Sequence, residues 1–156
     1  MKSTQVRLVV ALAAATVVAL SLGVATVATA SPSSGTITAA IIGAGEMSHG
    51  MGFNAQPGTN TVVAAYTFGP HSSTGWHSHP GKTLVTVQAG TFTVYHDDCS
   101  SRTYGPGEAF VELPSSVHIG RNETDGTVQL GVVYFGVPIG GSPRIDQPQP
   151  DGCDVT

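Results

Sequence analysis

The stretch Trp76-His77-Ser78-His79-Pro80-Gly81, answered later by His118, decides how this chain is read. Residues two positions apart on a β-strand point to the same face, with Cα atoms roughly 6–7 Å apart. His77 and His79 therefore present two imidazoles that can close on a single metal ion. His118, on a later strand, would complete three nitrogen donors. Three protein ligands leave positions open to water or substrate, and open positions separate a catalytic metal site from a structural one. The competing reading is a pair of exposed or hydrogen-bonded histidines beside a turn, with a satisfied core histidine at 118.

The segment before this motif bounds the setting. Met1 to Arg7 carries Lys2 and Arg7 and no acid; Leu8 to about Ala25 is nearly all Ala, Val, Leu and Thr; Ala28-Thr29-Ala30 offers the small residues a signal peptidase reads. This pattern predicts a signal peptide over residues 1–30, cleaved after Ala30, and hence a secreted protein. The apolar run is also marginally long enough to remain as a membrane anchor. The remaining 126 residues suffice for one compact domain and not for two. They hold four basic against ten acidic residues, a net charge of about −6 with neutral histidine. Such a surface lacks the basic footprint that nucleic acid or an anionic membrane requires.

Frequent glycine and proline and sparse charge favour short strands joined by tight turns over long helices. Thr36 to Ile42, Thr61 to Phe68, Thr83 to Gln88, Thr91 to Tyr95, Ala109 to Leu113, Val117 to Gly120 and Val128 to Val137 read as strands. Ala89-Gly90, Arg102 to Gly107, Pro114-Ser115-Ser116 and Asn122 to Gly126 read as turns. Ser31 to Gly35 reads as flexible, and Pro138 to Pro150, with four prolines, as an extended surface tail. No stretch has a helical period. Strands at this spacing argue for a sandwich or a barrel. Cys99 and Cys153 are the only cysteines. In an exported chain they are expected to pair, tying the tail to the hairpin near Asp97. Two free thiols are the alternative.

The motifs resemble those of a known family. Gly69…His77-x-His79…Gly90 is similar to the first signature of the cupins, and Gly107…Pro114…His118-x-x-x-Asn122 to the second. The resemblance covers roughly Thr61 to Val137. It implies an all-β, cupin-type jelly-roll barrel with a metal held between the two signatures. The implied organisation is a signal peptide (1–30), an N-terminal segment with the first strand (31–60), a barrel core (61–137) and a Pro-rich tail (138–156). Three departures stand out. The glutamate that the family places four residues after its second histidine is Thr83 here, with Lys82 beside it. The Gly69–His77 spacing is longer than usual. The Pro114–His118 spacing is one residue shorter, and Ser116 stands where glycine is common.

The resemblance carries the metal over to His77, His79 and His118. Without the glutamate, three neutral imidazoles leave a divalent ion its full charge, which acidifies a bound water and favours an anionic substrate. Fe, Zn, Cu, Ni and Mn all remain open, nitrogen-rich ligation suiting the first four better. Glu112, ahead of Pro114, is a candidate ligand or general base if it faces inward; a solvent-facing carboxylate is the commoner outcome and the expectation here. Glu108, beside Gly107, reads as exposed. His71 sits where it would border a pocket mouth, His96 reads as part of a hairpin tip, and neither these nor His49 have ligand spacing. Trp76, Phe92 and Tyr134, with Thr83, are candidates for a pocket wall, core packing being the alternative. Asn122-Glu-Thr124 fits the glycosylation acceptor pattern. The function these residues imply is a metal-dependent oxygenase acting on a small organic molecule. A non-catalytic small-ligand or metal-binding barrel and a redox-neutral isomerase or lyase are the alternatives. A homodimer is the expected assembly, by resemblance.

Overall fold

The computed structural model describes residues 30–46 and 56–156. The signal-peptide reading, apart from Ala30, and His49 lie outside the described residues. Ten strands and no helix make up the described elements: β1 (Ile37–Glu46), β2 (Thr59–Phe68), β3 (His77–Ser78), β4 (Thr83–Ala89), β5 (Phe92–His96), β6 (Ser101–Tyr104), β7 (Ala109–Glu112), β8 (His118–Arg121), β9 (Val128–Pro138) and β10 (Ile145–Asp146). They form two five-stranded antiparallel sheets, ordered β1-β2-β9-β4-β7 and β10-β3-β8-β5-β6.

Alternation builds the core between the sheets. Val85 and Val87 of β4 and Val128, Leu130 and Val132 of β9 point inward, and Phe92 and Val94 of β5 meet them from the other sheet. Phe68 and Phe92 join the layers edge to face with ring centroids 4.9 Å apart. Each such side chain, fully buried, contributes about 1.5–3 kcal/mol. A smaller cluster of Trp76, Ile119 and Cys153 lies apart from this core. The reason is the same alternation: with His77 and His79 facing one way, Trp76 and Ser78 face the other. Trp76 is therefore not a wall of the central pocket, contrary to the sequence expectation; its Nε1 donates to the Val155 carbonyl at 2.9 Å under the tail.

Two further expectations are corrected. Ser101 to Tyr104 is a strand, not part of a turn, and pairs with β5. Its polar sequence suits the edge of a sheet, where only Tyr104 turns inward. The turn proper is Gly105 to Glu108, closed by the Gly105 amide donating to Glu108 Oε2 at 2.6 Å, and Glu108 is exposed as expected. Ser31 to Gly35 is tied down rather than loose: Ser34 and Ser73 exchange backbone hydrogen bonds at 2.8 and 2.9 Å, and the Ser31 amide donates to the Gln147 carbonyl at 3.0 Å.

Asn122 is fully buried at the end of β8. Its Nδ2 donates to the carbonyls of Gly69 and Gly126 at 2.8 and 2.7 Å, and its Oδ1 accepts from the Thr124 amide and hydroxyl. The side chain pins two loops together, the one after β2 and its own, so it is spent on structure and is no acceptor for a glycan. Gly81, just past the histidine pair, lies against the backbone carbonyl of Phe135, where a Cβ would collide. Gly81→Ala should therefore destabilise the fold by about 1–3 kcal/mol, measured as a lower urea midpoint with an unchanged m-value. An unaltered midpoint would mean that β9 yields freely here.

Candidate metal centre

Register brings the histidines together. His77 on β3 is the direct cross-strand partner of His118 on β8, and His79 follows His77 by two residues. All three rings are buried, with centroids 4.4 Å (His77–His118), 4.9 Å (His77–His79) and 5.1 Å (His79–His118) apart. One nitrogen from each ring lies within 4.8 Å of the others, a group able to hold a metal ion.

The other ring nitrogens are accounted for. Nδ1 of His77 bonds the Gly75 carbonyl at 2.9 Å, that of His79 the Pro143 carbonyl at 2.7 Å and that of His118 the Ser116 carbonyl at 2.9 Å. A carbonyl only accepts, so each Nδ1 carries a hydrogen, and Nε2 is the ring nitrogen left to face the centre. Such carbonyl partners are what orients and tautomerises a metal-ligating histidine.

Glu112 is the main departure from the sequence expectation. Its side chain is 10% exposed and faces inward, with Oε2 3.1 Å from His79 Nε2 and Oε1 3.2 Å from His118 Nε2. The expectation of a solvent-facing carboxylate fails because β7 pairs with β4 in a register that sets Glu112 directly opposite Thr83. Thr83 is the position at which the family's glutamate was missing. A carboxylate is thus supplied from the neighbouring strand. Thr83 itself is fully buried and its Oγ1 has no partner.

Electrostatics follow from this packing. Burial, then the charges of His118, Arg144 and His79, hold His77 well below the usual imidazole range. Burial alone would raise Glu112, yet hydrogen bonding and charge from His118 and His79 outweigh it and hold the carboxyl low. Burial would lower His118, but Glu112 reverses the sign and raises it. The donor set fits a cation. Two Nε2 atoms and two carboxylate oxygens meet at hydrogen-bond range, and His118 Nε2 is buried without a well-aligned hydrogen bond. Acceptors facing acceptors repel unless a proton or a metal ion stands between them.

Beside the centre lies a cavity of about 80 Å³. Phe92 and Tyr134 line it, together with Phe68, Val85, Leu130 and Val132; Thr83 and Trp76 do not. The Tyr134 ring stacks obliquely 5.2 Å from His79, and its hydroxyl donates to Tyr66 Oη at 2.9 Å. Burial and Tyr66 push the Tyr134 phenol far above its ordinary range, so it stays a donor. His71 is exposed and bound to Asp125 at 2.8 Å, away from the cavity. His96, although paired with His118 across β5 and β8, is outside the histidine group.

Cys99 and Cys153 form a disulfide, and no helix among the described residues is long and apolar enough to cross a membrane. The tail it anchors does more than lie on the surface. Pro143 supplies the carbonyl behind His79, and Arg144 lines the cavity. Neither was foreseen; the one signal available was Cys153, which places the tail against the barrel without saying where it passes.

Residues 64–134 match the profile of a family described as Cupin domain. Among solved structures, a cupin-like protein of Thermotoga maritima is similar, with 19% identity and a TM-score of 0.53 over 77% of this chain and 89% of that one. A cupin superfamily protein of Desulfitobacterium hafniense aligns with 12% identity and a TM-score of 0.49 over 64% of this chain and 77% of its own. The polyketide cyclase RemF of Streptomyces resistomycificus aligns with 24% identity and a TM-score of 0.44 over 47% of this chain, which spans about half (52%) of that protein. No curated protein sequence matches this chain.

Proposed function

Since this chain belongs to the cupin superfamily and folds as its jelly roll, we propose that it is an exported metal-dependent oxygenase of a small organic molecule. His77, His79, His118 and Glu112 are its metal-holding residues. The observation that carries this reading is Glu112, whose two oxygens sit 3.1 and 3.2 Å from the Nε2 atoms of His79 and His118. Three neutral imidazoles and one carboxylate make a site of net charge −1, which suits a divalent ion better than the three-nitrogen set alone. When bound, a divalent iron, copper or nickel ion supplies a Lewis-acidic centre able to change oxidation state.

The chain's own residues do the rest. The carbonyls of Gly75, Pro143 and Ser116 hold the rings in one tautomer. Phe68, Val85, Phe92 and Leu130 keep the adjoining cavity poor in water, so polar contacts inside it are strong. Tyr134 passes its hydroxyl hydrogen to Tyr66, which leaves the Tyr66 hydrogen free to meet a ligand oxygen. Export accords with the leader-like composition of residues 1–30 and with the disulfide.

A second reading is a redox-neutral isomerase or lyase. The inward-facing Glu112 carboxylate favours it, because it lines the cavity within reach of a proton on a bound ligand.

Elemental analysis of protein from a metal-replete exporting host should find about one ion per chain, and oxygen uptake on a panel of phenols and diketones should separate the readings. Glu112→Gln, which keeps the shape and removes the charge, should weaken metal binding by roughly 100-fold. Bound zinc without oxygen uptake moves the assignment to the redox-neutral class. A metal-free wild type, or a Glu112→Gln variant with full affinity, removes the four-residue centre.

A further inference from the structure

We infer that the C-terminal tail completes the site, and that Arg144 is its recognition residue for a short-chain carboxylate. This deepens the reading above and rests on the same cavity. Residues 138–156 lie outside the stretch that matches the family profile. The barrel core therefore does not dictate what they contribute.

The tail is fastened at several points. β10 pairs with β3, setting Asp146 opposite His77. The Gln147 amide donates to the Trp76 carbonyl at 3.0 Å, its Nε2 donates to Ser78 Oγ at 3.1 Å, and Cys153 is bonded to Cys99. Between these anchors Arg144 is itself held twice. Its backbone amide donates to Ser142 Oγ at 3.0 Å, and its Nε donates to Asp146 Oδ1 at 2.6 Å. Holding the guanidinium by Nε leaves its two terminal amino groups, four N–H donors, for another partner.

Those groups belong to the one permanently cationic side chain among the described residues lining the cavity. Phe68, Phe92, Leu130 and Val132 give the same cavity apolar wall, and His77, His79 and Glu112 line its metal-centre side. A cation set among apolar walls selects a ligand with an anionic head and a short hydrocarbon body. The planar fork of arginine matches a carboxylate in particular. Size agrees: about 80 Å³ is roughly half of the ~150 Å³ that admits benzene, which limits the ligand to roughly three to five heavy atoms.

Calorimetric titration of propanoate and of the neutral, equally shaped propanamide tests this. Wild type, Arg144→Gln and Arg144→Lys are compared, each as isolated and after metal removal, with metal content read in parallel. Propanoate should bind wild type and propanamide should not. Arg144→Gln should weaken propanoate at least about 10-fold with metal content unchanged, and Arg144→Lys should recover part of the loss. Equal binding of acid and amide overturns the inference, as does binding of neither, or full propanoate affinity in Arg144→Gln. The acid–amide comparison needs no variant, so a misfolded substitution cannot shelter the idea. A wild type without metal that still prefers propanoate through Arg144 removes the metal reading and supports this one. Stoichiometric metal with no preference for the acid does the reverse.

Discussion

His79→Ala is expected to abolish metal binding, from about one ion per chain to none, while the β-sheet circular dichroism persists. His79 joins three parts of the site. Its Nε2 faces Glu112 at 3.1 Å, its Nδ1 bonds the Pro143 carbonyl at 2.7 Å, and its ring packs against Tyr134. Removing a partner one layer further out typically costs 10–100-fold in metal affinity, so removing a donor atom should cost at least about 100-fold. His77, His118 and Glu112 would remain, with Glu112 Oε2 left without the ring that faces it, a set one donor short and poorly matched to an ion. The fold survives because the main core, built from β2, β4, β5, β6 and β9, does not include His79; the local cost is a cavity and an unpaired carbonyl, about 2–4 kcal/mol together. His71→Ala is the control. That ring is exposed and paired with Asp125, so metal content should not change. A His79→Ala protein that retains its ion would show that the three imidazoles do not share one.

The same comparison explains what could be read from sequence and what could not. The His77–His79 pair is legible because a period of two needs only neighbours in the chain. His118 is legible because it stands four residues before Asn122, as in the second signature, although its distance from Pro114 is one residue short. Most strands announce themselves by the same alternation. The position of Trp76 follows from that rule as well, once its neighbour His77 is taken as inward. Glu112 is different. Its place in the site depends on the β4–β7 register, which sets it opposite Thr83, and nothing within several residues of Glu112 encodes that register. Its sequence context is an ordinary strand end, where a carboxylate usually meets water. Pro143 and Arg144 are less legible still. They reach the site through a disulfide 54 residues in separation and through a two-residue strand that no periodicity can reveal. Polar β6 was hidden because an edge strand lacks the alternating burial that marks an interior one.

The disulfide carries the second large effect. Closing a loop of 54 residues stabilises the native state by about 4 kcal/mol in the chain-entropy model. That is a large part of the about 5–15 kcal/mol by which a domain of this size is stable. The Cys99→Ser/Cys153→Ser protein should therefore unfold at a clearly lower urea concentration. The loss should also be uneven. The main core contains neither cysteine, whereas the cluster of Trp76 and Ile119 is closed by Cys153 itself. Hydrogen exchange should quicken first at the Gln147 amide, which bonds the Trp76 carbonyl, and only later in β4 and β9. If the tail frays in this way, Pro143 leaves His79 and Arg144 leaves the cavity, so metal affinity should fall by roughly 10-fold, as for loss of one orienting partner, and carboxylate binding should vanish. Uniform destabilisation with both affinities intact would mean that β10 and Gln147 dock the tail without the bond. In that case the tail's hold on the site comes from strand pairing, and the cysteines serve stability alone.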